Sequence, residues 1–220
     1  MTSSNSLPPS RKASADRRSL GEGGQAPVSR LPVRLVFFEM SIGCDTCAPT
    51  RRALEQLAGS NEHLTLETLN LVLDRERAGE YGVDRVPAVV VSAPGRDRIR
   101  YYGAPLGNEL PTLVEAIRMT ASGETALCEE NRAQLKTLTG PVTLQVFFTP
   151  GCLYCPQMIS LANQLSVESP LVSSIAIDAT EYPDLVRRYR VNGVPKTIIN
   201  GTVEVLGAAT EEELVRAIMQ

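Results

Sequence analysis

The chain has 220 residues, enough for one large domain or two small ones. Hydrophobic residues make up 43% and charged ones 21%, which excludes a collagen-like, coiled-coil or wholly disordered protein. A net charge of -3, one histidine (His63) and no tryptophan leave no electrostatic footprint for nucleic acid, no His-rich metal site and no platform for stacked bases. No apolar run is long enough to cross a bilayer, so no membrane association is expected.

In chain order, residues 1–31 come first. They are rich in Ser, Pro, Gly and Arg, with few large apolar side chains, and they predict a disordered leader with a small positive excess. They contain no apolar stretch of the kind a secretory signal needs. Five cysteines are too few for a secreted disulfide scaffold of this length, so the expected location is cytoplasmic, with cysteines that do chemistry.

From residue 32 the chain repeats itself. Val33 to Phe38 (VRLVFF) leads to Cys44-Asp-Thr-Cys47, and Thr143 to Phe148 (TLQVFF) leads to Cys152-Leu-Tyr-Cys155. Tyr81-Gly-Val-Asp-Arg-Val86-Pro87 answers to Tyr189-Arg-Val-Asn-Gly-Val194-Pro195. Cys44 to Pro87 and Cys152 to Pro195 each span 43 positions, an offset of 108 between copies. Aligning Phe38 with Phe148 implies two extra residues before the first cysteine pair. Two units follow, 32–122 and 123–220.

The pattern gives each unit the order β-α-β-α-β-β-α. Short apolar runs ending at Phe38 and Phe148 suit central strands. Met158, Leu161, Ala162 and Leu165 mark one helical face, matched loosely by Leu54, Leu57 and Ala58. Strands follow near 63–69 and 171–177, then short helices through 75–81 and 181–189. Each Val-Pro opens a hairpin, the second turning at Asn200-Gly201, a type I′ signal. Leu110, Leu113, Val114 and Ile117 close the first unit. A helix near 127–138, with Cys128 on its buried face, opens the second. Thr210 with Glu213 forms a capping box for the last helix.

A C-x-x-C pair at a helix start is built for thiol–disulfide exchange. The helix N-terminus favours the thiolate of the first cysteine, near the N-cap, and the second stands ready to resolve a mixed disulfide. Cys44 and Cys152 are the expected attacking thiols, and Cys47 and Cys155 the resolving ones. The Val-Pro bonds are candidate cis peptides, which would leave Val86 and Val194 free to pair with an extended substrate chain beside Pro87 and Pro195. Tyr154 is a further substrate-contact candidate. Zinc is disfavoured because each pair sits in its own repeat, far from the other, so no metal is expected.

These residues resemble the thioredoxin/glutaredoxin superfamily. Cys152-Leu-Tyr-Cys155 is similar to the glutaredoxin C-P-Y-C box with Leu153 in place of proline. The tandem resembles the glutaredoxin-like protein disulfide oxidoreductases over residues 32–220, through Phe147 to Pro156, Glu181-Tyr-Pro183, Val194-Pro-Lys196 and Tyr101 to Gly107. The resemblance implies an α/β protein of two tandem thioredoxin-like units, each a mixed sheet flanked by helices. It implies a protein dithiol–disulfide oxidoreductase with redox-active disulfides and no bound cofactor. Partners would be protein disulfides or dithiols, with a separate thioredoxin-reductase-like enzyme or a small thiol as electron donor. The alternatives are a dedicated shuttle to a peroxidase and a peptide-binding adaptor with vestigial thiols. One departure stands out: the second copy's central strand carries no acid to take a proton, and in the first copy the nearest, Glu39, falls in the loop.

Overall fold

A computed structural model describes Met1 and residues 31–220. Apart from its two ends, the expected disordered leader lies outside the described residues. The first unit runs β1 (Val33–Glu39), α1 (Cys47–Gly59), β2 (Leu64–Asn70), α2 (Arg75–Glu80), β3 (Ala88–Ala93), β4 (Arg96–Tyr102) and α3 (Leu110–Ser122), with a single 3-10 turn at Gly107–Glu109. The second opens with α4 (Glu129–Leu135) and continues β5 (Val142–Phe148), α5 (Cys155–Glu168), β6 (Val172–Asp178), α6 (Pro183–Arg188), β7 (Lys196–Ile199), β8 (Val203–Leu206) and α7 (Glu211–Ile218).

The eight strands of the described residues form one sheet in the order β2-β1-β3-β4-β6-β5-β7-β8. The units meet where β4 pairs in parallel with β6, Tyr101 opposite Ala176. β1 is parallel to β2 and antiparallel to β3, β3 is antiparallel to β4, and β6 is parallel to β5. β1 and β5 therefore point the same way, and both cysteine pairs emerge at one edge of the sheet. Tyr101, Leu35, Phe37, Leu144, Val146 and Phe148 meet α1, α3, α5 and α7 on one face. Val36, Phe38, Tyr102, Phe147 and Ile177 meet α2 and α6 on the other. Strands buried on both faces explain the near-continuous apolar runs.

That two-faced burial corrects the alignment of the repeats. Phe38 and Phe147 both sit opposite the first residue after a Val-Pro step, Ala88 and Lys196 respectively. They also share the same face of the sheet. The structural equivalents are Phe38 and Phe147, not Phe38 and Phe148, and the first unit has one extra residue before its cysteines rather than two. A slip of one position in a strand exchanges its faces, so the matching letters V-F-F were out of phase.

The other expected elements fall within a few residues of their places. Asn200 and Gly201 have φ of 50° and 76°, and the Thr202 amide donates to the Ile199 carbonyl, closing the type I′ turn. Thr210 and Glu213 make the capping box in full. The helix before β5 is shorter than expected, and Cys128 is not on it. Cys128 is the N-cap, in extended conformation, and exposed; Leu127 turns inward instead. A cap residue lies outside the helical period, so the face assigned to Cys128 did not apply.

A buried polar chain stitches the two units beside β4 and β6. The Ser174 hydroxyl and Asn163 amide are linked at 2.8 Å, Asn163 donates to the Tyr101 hydroxyl at 2.9 Å, and Tyr101 meets Thr112 at 3.2 Å. Thr112 donates to the Glu109 carbonyl, so Tyr101 donates to Thr112 and each hydroxyl proton of the chain has a place. Burial pushes the Tyr101 phenol well above its ordinary value, keeping it neutral and able to donate.

Candidate active site

Each cysteine pair follows the C-terminal end of a central strand and is closed as a disulfide, with Cα atoms 5.4 Å apart for Cys44–Cys47 and 5.5 Å for Cys152–Cys155. The helices begin at the second cysteine: Cys47 and Cys155 are the opening residues, after Thr46 and Tyr154 as N-caps, and the first cysteine lies two residues before the cap, as expected. The first cysteine of each pair is half-buried in the preceding turn, while Cys47 and Cys155 are 3% and 0% exposed. One sulfur of each pair is thus open to approach, and the other is shielded.

The turn returns the first sulfur to the helix start in the second unit. The Cys155 amide donates to Cys152 Sγ at 3.1 Å. A free amide at a helix N-terminus stabilises a thiolate there by hydrogen bonding and by the helix dipole. In the first unit the Cys47 amide goes to the Cys44 carbonyl at 3.4 Å. Exposed Asp45 stands where the second unit has Leu153, itself 82% exposed.

Both Val-Pro bonds, Val86–Pro87 and Val194–Pro195, are cis. The two prolines are buried, and the two valines are half-buried. The carbonyls of Pro87 and Pro195 accept the amides of Gly103 and Gly207, whereas among the described residues the backbones of Val86 and Val194 have no partner. Tyr154 is 66% exposed beside Cys155. The structure therefore places Val194, Pro195 and Tyr154 in the second unit and Val86 and Pro87 in the first, at the edge where the cysteines lie.

Two acids bear on the proton question. Glu39 is the last residue of β1 rather than a loop residue, and its carboxylate is held by Arg51 at 2.8 Å. The other, Glu109, was not singled out from sequence. It is 0% exposed, and among the described residues neither carboxyl oxygen has a hydrogen-bond partner. Burial, with a smaller contribution from the nearby Asp178 carboxylate, pushes its carboxyl up to about 7. Asn108 bonds the Pro150 carbonyl, Glu115 bonds Ser160, and Thr125 bonds Glu168. Those pairs advance together, so α3 runs parallel to α5, and the start of α3 with Glu109 lies level with the start of α5 at Cys155. Spacing gave no hint of this, because the acid belongs to the first unit and the cysteines to the second.

No group of three or more His, Cys, Asp or Glu among the described residues is placed to hold a metal. No helix among them is long and apolar enough to cross a membrane.

Residues 142–220 match the thioredoxin domain family. A protein disulfide oxidoreductase from Aeropyrum pernix is 30% identical, with 87% of this chain and 86% of that one covered and a TM-score of 0.79. The alkylhydroperoxide reductase protein AhpF from Enterococcus faecalis shares the fold, with a TM-score of 0.79 over 86% of this chain and 90% of that one at 24% identity. The F component of the alkyl hydroperoxide reductase of Xanthomonas campestris pv. phaseoli is 29% identical over 167 residues, 74% of this chain and 32% of the relative. The chain spans about a third of the length of the curated relatives it matches. The repeated architecture, the paired C-x-x-C disulfides and these similarities place the chain among the thioredoxin-fold thiol–disulfide oxidoreductases, with two thioredoxin-like units in tandem.

Proposed function

We propose that the chain is a protein dithiol–disulfide oxidoreductase whose units, 32–122 and 123–220, each carry one redox centre. One observation carries the reading: a half-buried first sulfur and a buried second one lie at a helix start, with an amide aimed at Cys152 Sγ. In the reduced enzyme the Cys152 thiolate attacks a substrate disulfide. A Cys152–substrate disulfide forms, and the other substrate sulfur leaves as a thiolate that takes up a proton. Cys155, deprotonated, then attacks Cys152 Sγ, closing Cys152–Cys155 and releasing the second substrate thiol. Glu109 is the group proposed to receive the Cys155 proton. Its buried carboxyl is poised near neutrality, where acceptance and return are both easy. Cys44 and Cys47 follow the same steps in the first unit. Val86 and Val194, with Pro87 and Pro195 behind them, offer unpaired backbone groups to an extended substrate, and Tyr154 offers an exposed ring.

The two electrons come from a separate reductase or a small thiol, and a cytoplasmic location belongs to the same reading. The test is reduction of a protein disulfide such as insulin, with dithiothreitol as electron source. Catalysed reduction that disappears in the chain lacking both pairs supports the proposal, and a rate equal to the uncatalysed one sinks it. A second reading is favoured by the relatives named as the F component of alkyl hydroperoxide reductase: a dedicated shuttle handing electrons to a peroxidase. It calls for slow reduction of insulin and rapid oxidation of the dithiols by one peroxidase. A peptide-binding adaptor would reduce neither.

A further inference from the structure

One acid outside both cysteine boxes reaches the first redox centre from the other unit. Glu181 lies in the loop between β6 and α6. One carboxylate oxygen accepts the Thr46 hydroxyl at 2.5 Å, and the other accepts the Ala104 amide at 2.8 Å. Thr46 is the residue between Cys44 and Cys47 that caps α1. Its backbone is helical, with φ -91° and ψ -8°, and its side chain caps no helix amide. A threonine at this position ordinarily serves the helix; here its hydroxyl serves Glu181.

The contact is one of a set. The Tyr182 hydroxyl donates to the Pro87 carbonyl at 3.1 Å, and Asp184 holds Arg85, the residue before Val86, at 3.2 Å. Gly103, with φ of +96°, lets the loop after β4 come this close, since a Cβ there would lie 2.5 Å from Asp178 Cβ and 3.1 Å from Glu181. The segment Glu181 to Asp184 thus grips both the cysteine turn and the cis-proline turn of the first unit. In the second centre the residue matching Thr46 is Tyr154, largely exposed.

We propose that Glu181 is a positioning residue for the first redox centre: it fixes the Cys44–Cys47 turn through Thr46 and holds a negative charge against it, so that the second unit governs how readily Cys44 reacts. The inference rests on the reading of Cys44 and Cys47 as a redox pair. Other charged groups lie about the same edge. Asp45 is beside Cys44, Glu39 is paired with Arg51 of α1, and Arg85 is paired with Asp84 and Asp184. Asp178 accepts from Thr180. Glu181 alone among these bonds a side chain inside the cysteine box. A fixed carboxylate disfavours a neighbouring thiolate, so it holds Cys44 less reactive at neutral pH.

The test uses the full chain carrying Cys152→Ser and Cys155→Ser, reduced and treated with iodoacetamide over a range of pH. Mass spectrometry follows the Cys44 adduct, which separates it from exposed Cys128. Glu181→Gln, which keeps the shape, still accepts the Ala104 amide through its oxygen and can donate its NH2 to the Thr46 hydroxyl, is expected to lower the midpoint of Cys44 alkylation by about half a pH unit. Thr46→Val leaves the carboxylate held in place by the Ala104 amide but without the hydroxyl donor that offsets its charge, and so raises the midpoint, but only while Glu181 is present. In the chain carrying Cys44→Ser and Cys47→Ser, Glu181→Gln leaves the Cys152 midpoint in place. A merely structural role would not produce opposite shifts from the two substitutions. The proposal is overturned if Glu181→Gln leaves the Cys44 midpoint unchanged or raises it, if both centres move alike, or if Thr46→Val acts equally without Glu181. Should Glu181→Gln fail to fold, Thr46→Val decides, and the absence of an upward shift overturns the proposal. Alkylation needs no turnover, so a chain that titrates as expected yet reduces no protein disulfide sinks the oxidoreductase reading and leaves this one standing.

Discussion

The Cys155 amide reaches Cys152 Sγ, and among the described residues no such bond reaches Cys44, whose neighbour is the carboxylate of Asp45. Both differences favour thiolate at Cys152. A lower thiol pKa also weakens the nucleophile, but near neutral pH the gain in thiolate outweighs that loss. Cys152→Ser should therefore remove most disulfide reductase activity, and Cys44→Ser should leave a substantial part. Equal losses in an insulin assay would contradict the charge argument. Glu109 has a signature of its own. Its carboxyl titrates near 7 when folded and near 4.5 when unfolded. Between those values the native state holds a proton that the unfolded state has lost, so stability falls as pH rises through that window and is level above it. Glu109→Gln should gain on the parent chain from pH 4.5 to about 7 in urea titrations and hold a constant lead above that. The disulfide pairs and the cis prolines were legible because the C-x-x-C spacing and the Val-Pro step recur at one separation in both repeats. The places of Glu109 and Glu181 were not, since each lies against the other unit and only the fold brings it there. Cys128 misled for a simpler reason: a cap residue resembles a helical one until the helix start is known.

At the scale of elements, strongly patterned helices were read well and strand phase was not. Buried Met158, Leu161, Ala162 and Leu165 line one face of α5, as their spacing requires. The strands β1 and β5 alternate only at their starts, Val33-Arg34-Leu35 and Val142 to Val146, and are apolar on both faces at their ends, where matching the two Phe-Phe pairs put them out of phase. The pairings with β3 and β7 fix the phase instead, and they move the equivalence of the repeats by one residue. The capping box of α7 was legible because it is local. Thr210 both accepts the Glu213 amide and presents its own amide to the Glu213 carboxylate. Thr210→Ala should cost about 1 kcal/mol in equilibrium unfolding, with Thr210→Ser nearly neutral.

At the scale of the whole molecule, the two units share one sheet. The Ser174, Asn163, Tyr101 and Thr112 chain crosses that junction in the dry interior. Tyr101→Phe leaves Asn163 without an acceptor and Thr112 without a donor, and should cost about 2 kcal/mol. Probes in the two units should still report one coincident transition, since Tyr101 sits in the core they have in common; separate transitions would show that they fold apart. The junction also has a polarity. β4 of the first unit joins β6 of the second, so the molecule ends in two unlike rims, β2 and β8, each the kind of strand that the other's counterpart already accepts. Unpaired rims are templates for growth. Carried to a neighbouring copy, the β4–β6 register would set Val205 against Thr68, as Tyr101 faces Ala176, and would bring Glu204 directly opposite Glu67. Like charges face to face oppose such pairing, and it would also crowd the ion pairs that hold Glu67 to Arg34 and Arg77 and Glu204 to Lys196, which sets one glutamate on each rim against growth of the sheet into a ribbon. With Glu67→Thr and Glu204→Thr together, sedimentation should show species that lengthen with concentration.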